Sequence, residues 1–200
     1  MVSQSLSNRY LADPDVQLML KVSEDDQTAF EQLVVRYQDR LVGFFFHIVH
    51  DRTVAEDLAQ EAFLRVFRAR DRYEPTARFS TWLFRIAHNL ASNQIRGAVR
   101  RREVSLGNSS QDSSSNLDTV LAEQSGLMPT RQLDSDEMQQ LVRQAVSQLS
   151  ERQRTAVVLH RFEEMSYEEI GEVMGLGTVA VKSLLSRARM KLKESLERYL

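Results

Sequence analysis

The sequence predicts an all-α protein with two small helical lobes joined by a flexible acidic linker. Apolar residues recur at helical spacing along most of the chain, and its 200 residues include only 7 glycines and 3 prolines. Residues 103–140 break this pattern, because they contain seven acids against one arginine and include a serine-rich run. Such a segment buries too little apolar surface to fold by itself. We therefore divide the chain into a first lobe, residues 1–102, an acidic linker, residues 103–132, and a second lobe, residues 133–200.

Helix starts in both lobes are marked by side chains that can accept from the unpaired N–H groups of a first turn. Serine or threonine followed three residues later by Glu or Gln forms a capping box, and aspartate before proline is an N-cap. The apolar spacing that follows each start predicts a helix there, and a further long helix over about 80–97. The starts are Asp13 with Pro14, Thr28 with Glu31, Thr53 with Glu56, Ser150 with Gln153, and Ser166 with Glu169.

The first lobe contains a cationic strip, residues 62–102, with ten arginines, two acids and six aromatic residues. Ten positive minus two negative charges give +8 in a chain whose formal net charge is −2. Arginine donates bidentately to phosphate, and aromatic rings offer faces on which unstacked bases can lie. The strip therefore favours a nucleic-acid surface, although a helical core with a solvated basic face has the same composition. Of its aromatic residues, we assign Phe63, Phe67 and Phe84 to the core.

The second lobe ends in a helix-turn-helix pattern. A short helix over 166–174 ends at Gly175, and Thr178 is the predicted N-cap of a long basic helix with an apolar face. Such a second helix can enter a major groove, whereas a helical hairpin with a solvated basic side is the alternative. Five acids crowd the short helix and the residues before it, which leaves the last helix as the phosphate-facing surface. They are Glu163, Glu164, Glu168, Glu169 and Glu172.

Composition narrows the remaining function classes. The chain has no cysteine, and its 4 histidines lack the neighbouring ligand groups of a metal site. No nucleophile elbow, phosphate-binding glycine loop or HExxH pattern occurs. No apolar run approaches the roughly 20 residues that a membrane span needs. We therefore expect a cytoplasmic protein without membrane insertion, metal, cofactor or enzymatic activity.

One helix of the first lobe carries a polar stripe away from its apolar face. Asp57, Glu61, Leu64 and Arg68 share this stripe, with Gln60 alongside. A leucine rimmed by charges can mark a docking surface, although a single exposed leucine is ordinary.

Three motifs resemble the extracytoplasmic function (ECF) group of bacterial sigma factors, in the sigma-70 family. They are residues 57–63 (DLAQEAF), residues 78–89 (RFSTWLFRIAHN), and residues 166–170 (SYEEI) continued by 181–189 (VKSLLSRAR). The likeness covers about residues 15–196 in the family's order, apart from the linker. It implies that the lobes correspond to sigma regions two and four. It further implies a subunit that directs RNA polymerase to a specific set of promoters, in a stress or envelope response.

The resemblance implies a role for each group of residues and an anti-sigma factor as a further partner. Docking on the beta and beta-prime subunits of core RNA polymerase is implied for Asp57, Gln60, Glu61 and Leu64. Single-strand binding at the minus-ten element is implied for Arg72, Tyr73, Arg78, Phe79, Ser80, Thr81, Trp82, Arg85, Asn89 and Arg96. Duplex binding at the minus-thirty-five element is implied for Tyr167, Glu168, Lys182, Ser183, Ser186, Arg187 and Arg189.

The sequence departs from the family at three positions of the last helix. Val179, Ala180 and Leu184 stand where many members carry Gly, Thr and Arg, so base contacts are not transferred to 180 and 184. Leu184 can either meet a thymine methyl group or pack. Two other interpretations are a standalone helix-turn-helix regulator that reads duplex only, and a protein-interaction module without DNA.

Overall fold

The computed structural model describes residues 10–106, 141–142 and 144–197, and no strand occurs among them. The all-α prediction is confirmed. In chain order the elements are α1 Pro14–Ser23, α2 Gln27–Val49, α3 Arg52–Arg68, a 3-10 turn Arg70–Arg72, α4 Phe79–Leu106, α5 Glu151–Arg161, α6 Tyr167–Met174 and α7 Thr178–Leu196. Residues 141–142 and 144–147 are also helical.

Three of the predicted helix starts are confirmed. Ser150 and Ser166 form full capping boxes with the side chains three residues later, at the starts of α5 and α6. Asp13 caps α1, where its carboxylate accepts from the backbone N–H of Asp15 at 2.9 Å and Pro14 opens the helix. Each cap pairs a backbone donor that has no partner within its helix.

The other predicted caps are wrong. Asp26 caps α2 in place of Thr28, and Asp51 caps α3 in place of Thr53, because each aspartate reaches the N–H group three residues later, at 3.1 and 3.0 Å. The threonines consequently lie inside the first turn. At α7, Gly177 is the N-cap without a side-chain hydrogen bond, so Thr178 is the first helical residue instead of the cap.

Helix α4 is longer than its apolar spacing predicts. It runs from Phe79 to Leu106 and crosses the predicted end of the first lobe at residue 102. Residues 98–106 contain neither glycine nor proline, so no residue in this stretch favours an earlier end of the helix. Gly107 follows directly. The predicted linker from residue 107 onward, and the start of the second lobe at 133, lie outside the described residues.

The first-lobe core forms where α2 packs against α3 and α4. Small residues Ala55, Ala59 and Ala62 let α3 approach α2 closely, and aromatic rings fill the other side of α2. Phe44 meets Phe84 edge-on at 5.4 Å between ring centroids. Burial of these apolar side chains stabilises the lobe.

Two of the three aromatic core assignments are confirmed. Phe63 and Phe84 are buried, but Phe67 is 38% exposed, so its core assignment is wrong. The inward face of α3 is taken by Ala62 and Val66, and Phe67 points away from it. The Arg70 guanidinium lies over the Phe67 ring, 4.3 Å from its centroid.

The two lobes contact each other directly. Helix α4 packs against α6, and α2 packs against α5. Buried apolar side chains of both lobes form one continuous cluster, which includes Phe84 and Leu90 on one side and Ile170 and Val173 on the other. The interface between the lobes therefore has an apolar centre.

Candidate polymerase-binding and nucleic-acid surfaces

Helix α7 presents a basic face on a packed base. Val181, Leu185 and Ala188 are buried, as predicted, and Leu192 is half-buried. The predicted duplex-binding side chains lie on the other side: Lys182, Ser186, Arg187 and Arg189 are exposed, and Ser183 is half-buried. The Arg187 Nη2 donates to Ser183 Oγ at 2.9 Å, which holds the guanidinium along the helix. This exposure is what a helix needs to reach base edges in a major groove.

The turn before α7 depends on two glycines. A Cβ at Gly171 would lie 2.6 Å from the carbonyl oxygen of Leu176, so only glycine lets α6 approach the turn this closely. Gly175 ends α6 with a φ of +65°, a left-handed conformation that favours glycine. The two positions fix how α7 leaves α6, and thereby the direction of its basic face.

The other predicted duplex-binding residues lie at the start of α6. Glu168 is exposed there. Tyr167 is half-buried, and its ring meets the His160 ring at 5.4 Å between centroids. Tyr167 thus packs against α5, whereas the Glu168 side chain is accessible.

The three residues that depart from the family pattern differ in their exposure. Val179 and Ala180 are exposed in the first turn of α7. Leu184 is half-buried and packs against the hydrophobic cluster. Its environment favours the packing alternative over contact with a thymine methyl group.

The cationic strip folds into the loop before α4 and one face of that helix. Arg72 and Arg78 are exposed in the loop, and Arg85, Asn89 and Arg96 are exposed along α4. Trp82 and Ser80 are half-buried at the start of the same helix. Arg85, Asn89 and Arg96 lie on one side of α4, because they are spaced at multiples of three to four residues, and Arg78 directly precedes the helix. These predicted strand-reading side chains are therefore accessible as a group.

Phe79 and Thr81 lie in the core, so in this conformation they cannot touch a base. Phe79 packs between Tyr37, at 5.3 Å, and Trp82, at 5.9 Å between ring centroids. The reason is geometric: α4 begins at Phe79, and its first turn is pressed onto α2. The sequence motif does not show which face of this turn is inward.

Two buried hydroxyl groups near the start of α4 have no hydrogen-bond partner. They belong to Thr81 and Tyr73, and both oxygens are buried. Burial, with a smaller contribution from Asp13, raises the pKa of the Tyr73 phenol well above its usual value, so the hydroxyl stays protonated. The Tyr73 ring meets Trp82 edge-on at 4.9 Å. A buried hydroxyl without a hydrogen-bond partner costs free energy.

The predicted polymerase-docking residues share one face of α3. Asp57 and Gln60 are exposed, Leu64 is 49% exposed, and the half-buried Glu61 accepts from Arg65 at 2.9 Å. Leu64 is not an isolated apolar residue. It borders a groove of about 660 Å³ between α2 and α3, whose apolar lining includes Phe30, Val34, Val42, Phe63 and Phe67. The stripe therefore continues into an apolar depression.

Sequence reasoning missed the residues at the edge of the contact between the lobes. Arg40 of α2 donates from Nη2 and Nε to Glu163 Oε2, at 2.6 and 2.9 Å. The Phe162 ring stacks on His47, with centroids 4.9 Å apart. The two members of the ion pair are 123 positions apart in sequence, and neither belongs to a motif, so no local pattern could have indicated them.

Arg154 and His50 form a second polar cluster at the contact between the lobes. The Arg154 guanidinium donates to the carbonyl oxygens of Ile48, Ser147 and Leu149, at 3.3, 2.8 and 3.1 Å, and lies 2.7 Å from His50 Nε2. Burial lowers the pKa of His50, and Arg154 and His47 lower it further. Burial raises the pKa of Glu163, and Arg40 opposes that change.

Neither a metal site nor a membrane-spanning helix occurs in the described part of the chain. Residues 10–106 and 141–197, apart from 143, contain no group of three His, Asp or Glu side chains that could hold a metal ion. No helix within these same ranges is long and apolar enough to cross a membrane.

An exposed basic helix on one lobe and an arginine-lined helix on the other are typical of a helical DNA-binding protein. Family models agree: sigma-70 region 2 matches residues 33–101, and sigma-70 region 4 matches residues 139–192. The RNA polymerase sigma-H factor of Pseudomonas aeruginosa is 36% identical over 185 residues, 92% of this chain and 95% of the relative. The ECF RNA polymerase sigma-E factor of Escherichia coli K12 is 34% identical over 183 residues, 88% of this chain and 90% of the relative.

Solved structures show the same fold. The sigma factor RpoE of Bartonella quintana, in complex with the anti-sigma factor NepR, has a TM-score of 0.66 at 26% identity, covering 84% of this chain and 96% of its own. CnrH, in complex with the cytosolic domain of CnrY, has a TM-score of 0.67 at 24% identity, covering 93% and 99%, a likeness of fold alone. The chain belongs to the ECF group of the sigma-70 family. It is a promoter-specificity sigma factor, in a class of transcription initiation factors that bind core polymerase and promoter DNA.

Proposed function

We propose that each of the three surfaces carries one step of transcription initiation. The α3 face, with Asp57, Gln60, Glu61 and Leu64, docks on core RNA polymerase. The loop before α4 and the exposed side of α4 hold the melted minus-ten strand. The exposed face of α7 reads the minus-thirty-five duplex.

The observation that carries the proposal is the sorting of side chains on α7. Val181, Leu185 and Ala188 are buried where α7 packs against α5 and α6. The cations and hydroxyls of the motif lie on its exposed side, together with the apolar Val179, Ala180 and Met190. A helix so mounted can read base edges without moving within its lobe. Phosphate contacts from Arg189 would fix its register, and base contacts from Arg187 would supply specificity.

The same proposal assigns chemistry, location and a further partner. The chain has no catalytic activity of its own and works in the cytoplasm, where polymerase carries out the reaction. An anti-sigma factor holds it inactive until a stress or envelope signal releases it. Support comes from a solved relative, since the sigma factor RpoE of Bartonella quintana was co-crystallised with the anti-sigma factor NepR.

Run-off transcription with matched core polymerase tests the docking face. Leu64→Glu puts a charge on the edge of the apolar groove, and we expect it to weaken core binding at least tenfold while the protein stays folded. Val142→Glu is the matched control, because Val142 is 42% exposed on the second lobe against 49% for Leu64. Equal transcripts from the wild-type protein and Leu64→Glu at limiting core polymerase would reject the docking face. A wild-type protein that gives no defined start site would reject the whole proposal.

A further inference from the structure

Acidic side chains of the second lobe contact polar and basic side chains of the first. Glu163 pairs with Arg40, and Glu169 Oε1 lies 3.5 Å from Arg78 Nε. Glu151 accepts from the Ser92 hydroxyl at 3.0 Å. Some of the acids in α6 and just before it therefore face the first lobe. Their role is not limited to leaving α7 as the phosphate-facing surface.

At the polar edge of the contact, the carboxylate of the Arg40–Glu163 pair is almost fully enclosed. The Glu163 side chain is 4% exposed, and the Arg40 side chain is 37% exposed. Arg40 is held in place by its own lobe, because its guanidinium lies 4.6 Å from the centre of the Tyr37 ring and 5.8 Å from that of Phe84. The first lobe thus positions the guanidinium with which Glu163 pairs. A buried carboxylate needs a cation or a proton to stay there.

The contact occupies part of the strand-reading surface. Arg78 belongs to the proposed minus-ten residues, and the carboxylate of Glu169 stands beside it where a phosphate would bind. Helix α6 packs along α4, the helix that carries the other residues of that surface. Carboxylates of the second lobe therefore compete with the DNA strand for the first lobe.

The distance between the promoter elements excludes this arrangement on DNA. Their names place them about 25 base pairs apart, which is about 85 Å along B-DNA. Lobes joined by a 2.6 Å ion pair cannot occupy both elements at once. The covalent length of segment 107–140, about 110 Å at full extension, is enough for the lobes to separate.

We propose that Arg40 and Glu163 form an intramolecular latch that holds this sigma factor in a closed, inactive arrangement without any partner. Opening the latch frees Arg78 and lets the two lobes reach their separate elements. The inactivity of the closed form depends on the surface roles proposed above, but the existence of the latch does not.

The latch predicts an unusual order among three variants. Arg40→Gln leaves the Glu163 carboxylate buried without a cation, so the lobes should separate. The double variant Arg40→Gln with Glu163→Gln removes both charges and should close again, because two neutral amides can share a hydrogen bond. Arg36→Gln is the matched control: Arg36 is 47% exposed on the same helix, and its partner Asp15 belongs to the same lobe.

The distance between the lobes can be measured by fluorescence energy transfer in the full chain. The chain has no cysteine, so Glu31→Cys on α2 and Glu194→Cys on α7, both exposed positions, accept dyes specifically. We expect one short distance for the wild-type protein, Arg36→Gln and the double variant. Arg40→Gln should raise the open fraction about tenfold, within the 5- to 150-fold range usual for coupling between sites. Circular dichroism of each variant checks that the helices remain.

Two results would overturn the latch: an unchanged distance in Arg40→Gln, or a double variant as open as the single one. The rate of association with core polymerase then tests whether the closed form is inactive. Faster association of Arg40→Gln than of Arg36→Gln supports this, and equal rates reject it. A change in distance without any run-off transcript would leave the latch standing and reject the proposed function instead.

Discussion

The two surfaces proposed to bind DNA differ in how much of each is already exposed. The α7 face presents its cations and hydroxyls on a packed helix, whereas the strand-reading surface keeps Phe79 and Thr81 in the core and Trp82 half-buried. Duplex DNA offers its base edges in the groove to a preformed helix. An extruded base needs a pocket and a ring on which to stack. Under the proposed roles, duplex reading therefore needs no change in the fold, whereas strand capture requires the first turn of α4 to rearrange.

The largest expected effect comes from removing the ring at the start of α4. Trp82→Ala deletes a stacking surface worth about 1–3 kcal/mol per base, so promoter opening should slow by about 5- to 150-fold. Binding of the duplex before opening should change little. A fluorescent base analogue in the minus-ten element reports opening, and a mobility shift at low temperature reports duplex binding. Loss of duplex binding as large as the loss of opening would break the comparison.

An effect no larger than that, on duplex binding instead of opening, is expected on α7. Arg187→Ala should weaken duplex engagement by about 1–3 kcal/mol and relax specificity at one base pair, if the guanidinium binds guanine bidentately. Arg189→Ala is the contrast: as a phosphate contact it should weaken all sequences alike and reduce the salt dependence of binding by about one ion. Titrations of holoenzyme on the wild-type promoter and on single-base variants separate the two. A uniform loss for Arg187→Ala would make it a phosphate contact as well.

The smallest expected effect is a pH dependence of the contact between the two lobes, through His50. The pKa of His50 is lowered by burial first, then by Arg154 and His47, so it returns toward about 6.5 when the lobes separate. The open state then binds more protons than the closed state, and closure weakens as the pH falls below about 6.5. We expect the closed fraction to drop between about pH 7.5 and about pH 5.5. His50→Asn, which tolerates the left-handed φ of +58°, should reduce that drop.

The difference between the wild-type protein and His50→Asn is the quantity to compare, because other groups titrate too. The pKa of His88 is also lowered by burial, so His88 adds a change of the same sign in both proteins. The pKa of Glu163 is raised by burial, so its protonation favours the closed form as the pH falls toward its ordinary range. Identical pH profiles for the two proteins would exclude His50 as a contributor.

Much of the fold followed from local patterns. Capping boxes at Ser150 and Ser166 act within one helical turn, so the sequence alone could place them. The predicted caps at Thr28 and Thr53 were wrong because an aspartate that can also cap lies two residues before each threonine. In both helices the aspartate is the N-cap, and the helix starts earlier than predicted. Periodicity also gave the buried face of α7 correctly.

The candidate sites were less predictable where they depend on packing. Nothing local shows that Phe79 is inward and Phe67 outward, since both are aromatic residues in the same cationic strip. The Arg40–Glu163 pair joins elements that are distant in sequence and share no motif. Such contacts are decided by how the lobes dock, which no spacing within one helix records.

The division of labour between the two surfaces is tested most directly on paired templates. Run-off transcription is measured on the intact promoter and on the same promoter with a pre-melted minus-ten element. We predict that Trp82→Ala loses far more activity on the intact template than on the pre-melted one, while Arg187→Ala loses the same factor on both. Equal losses for both variants on both templates would contradict the account.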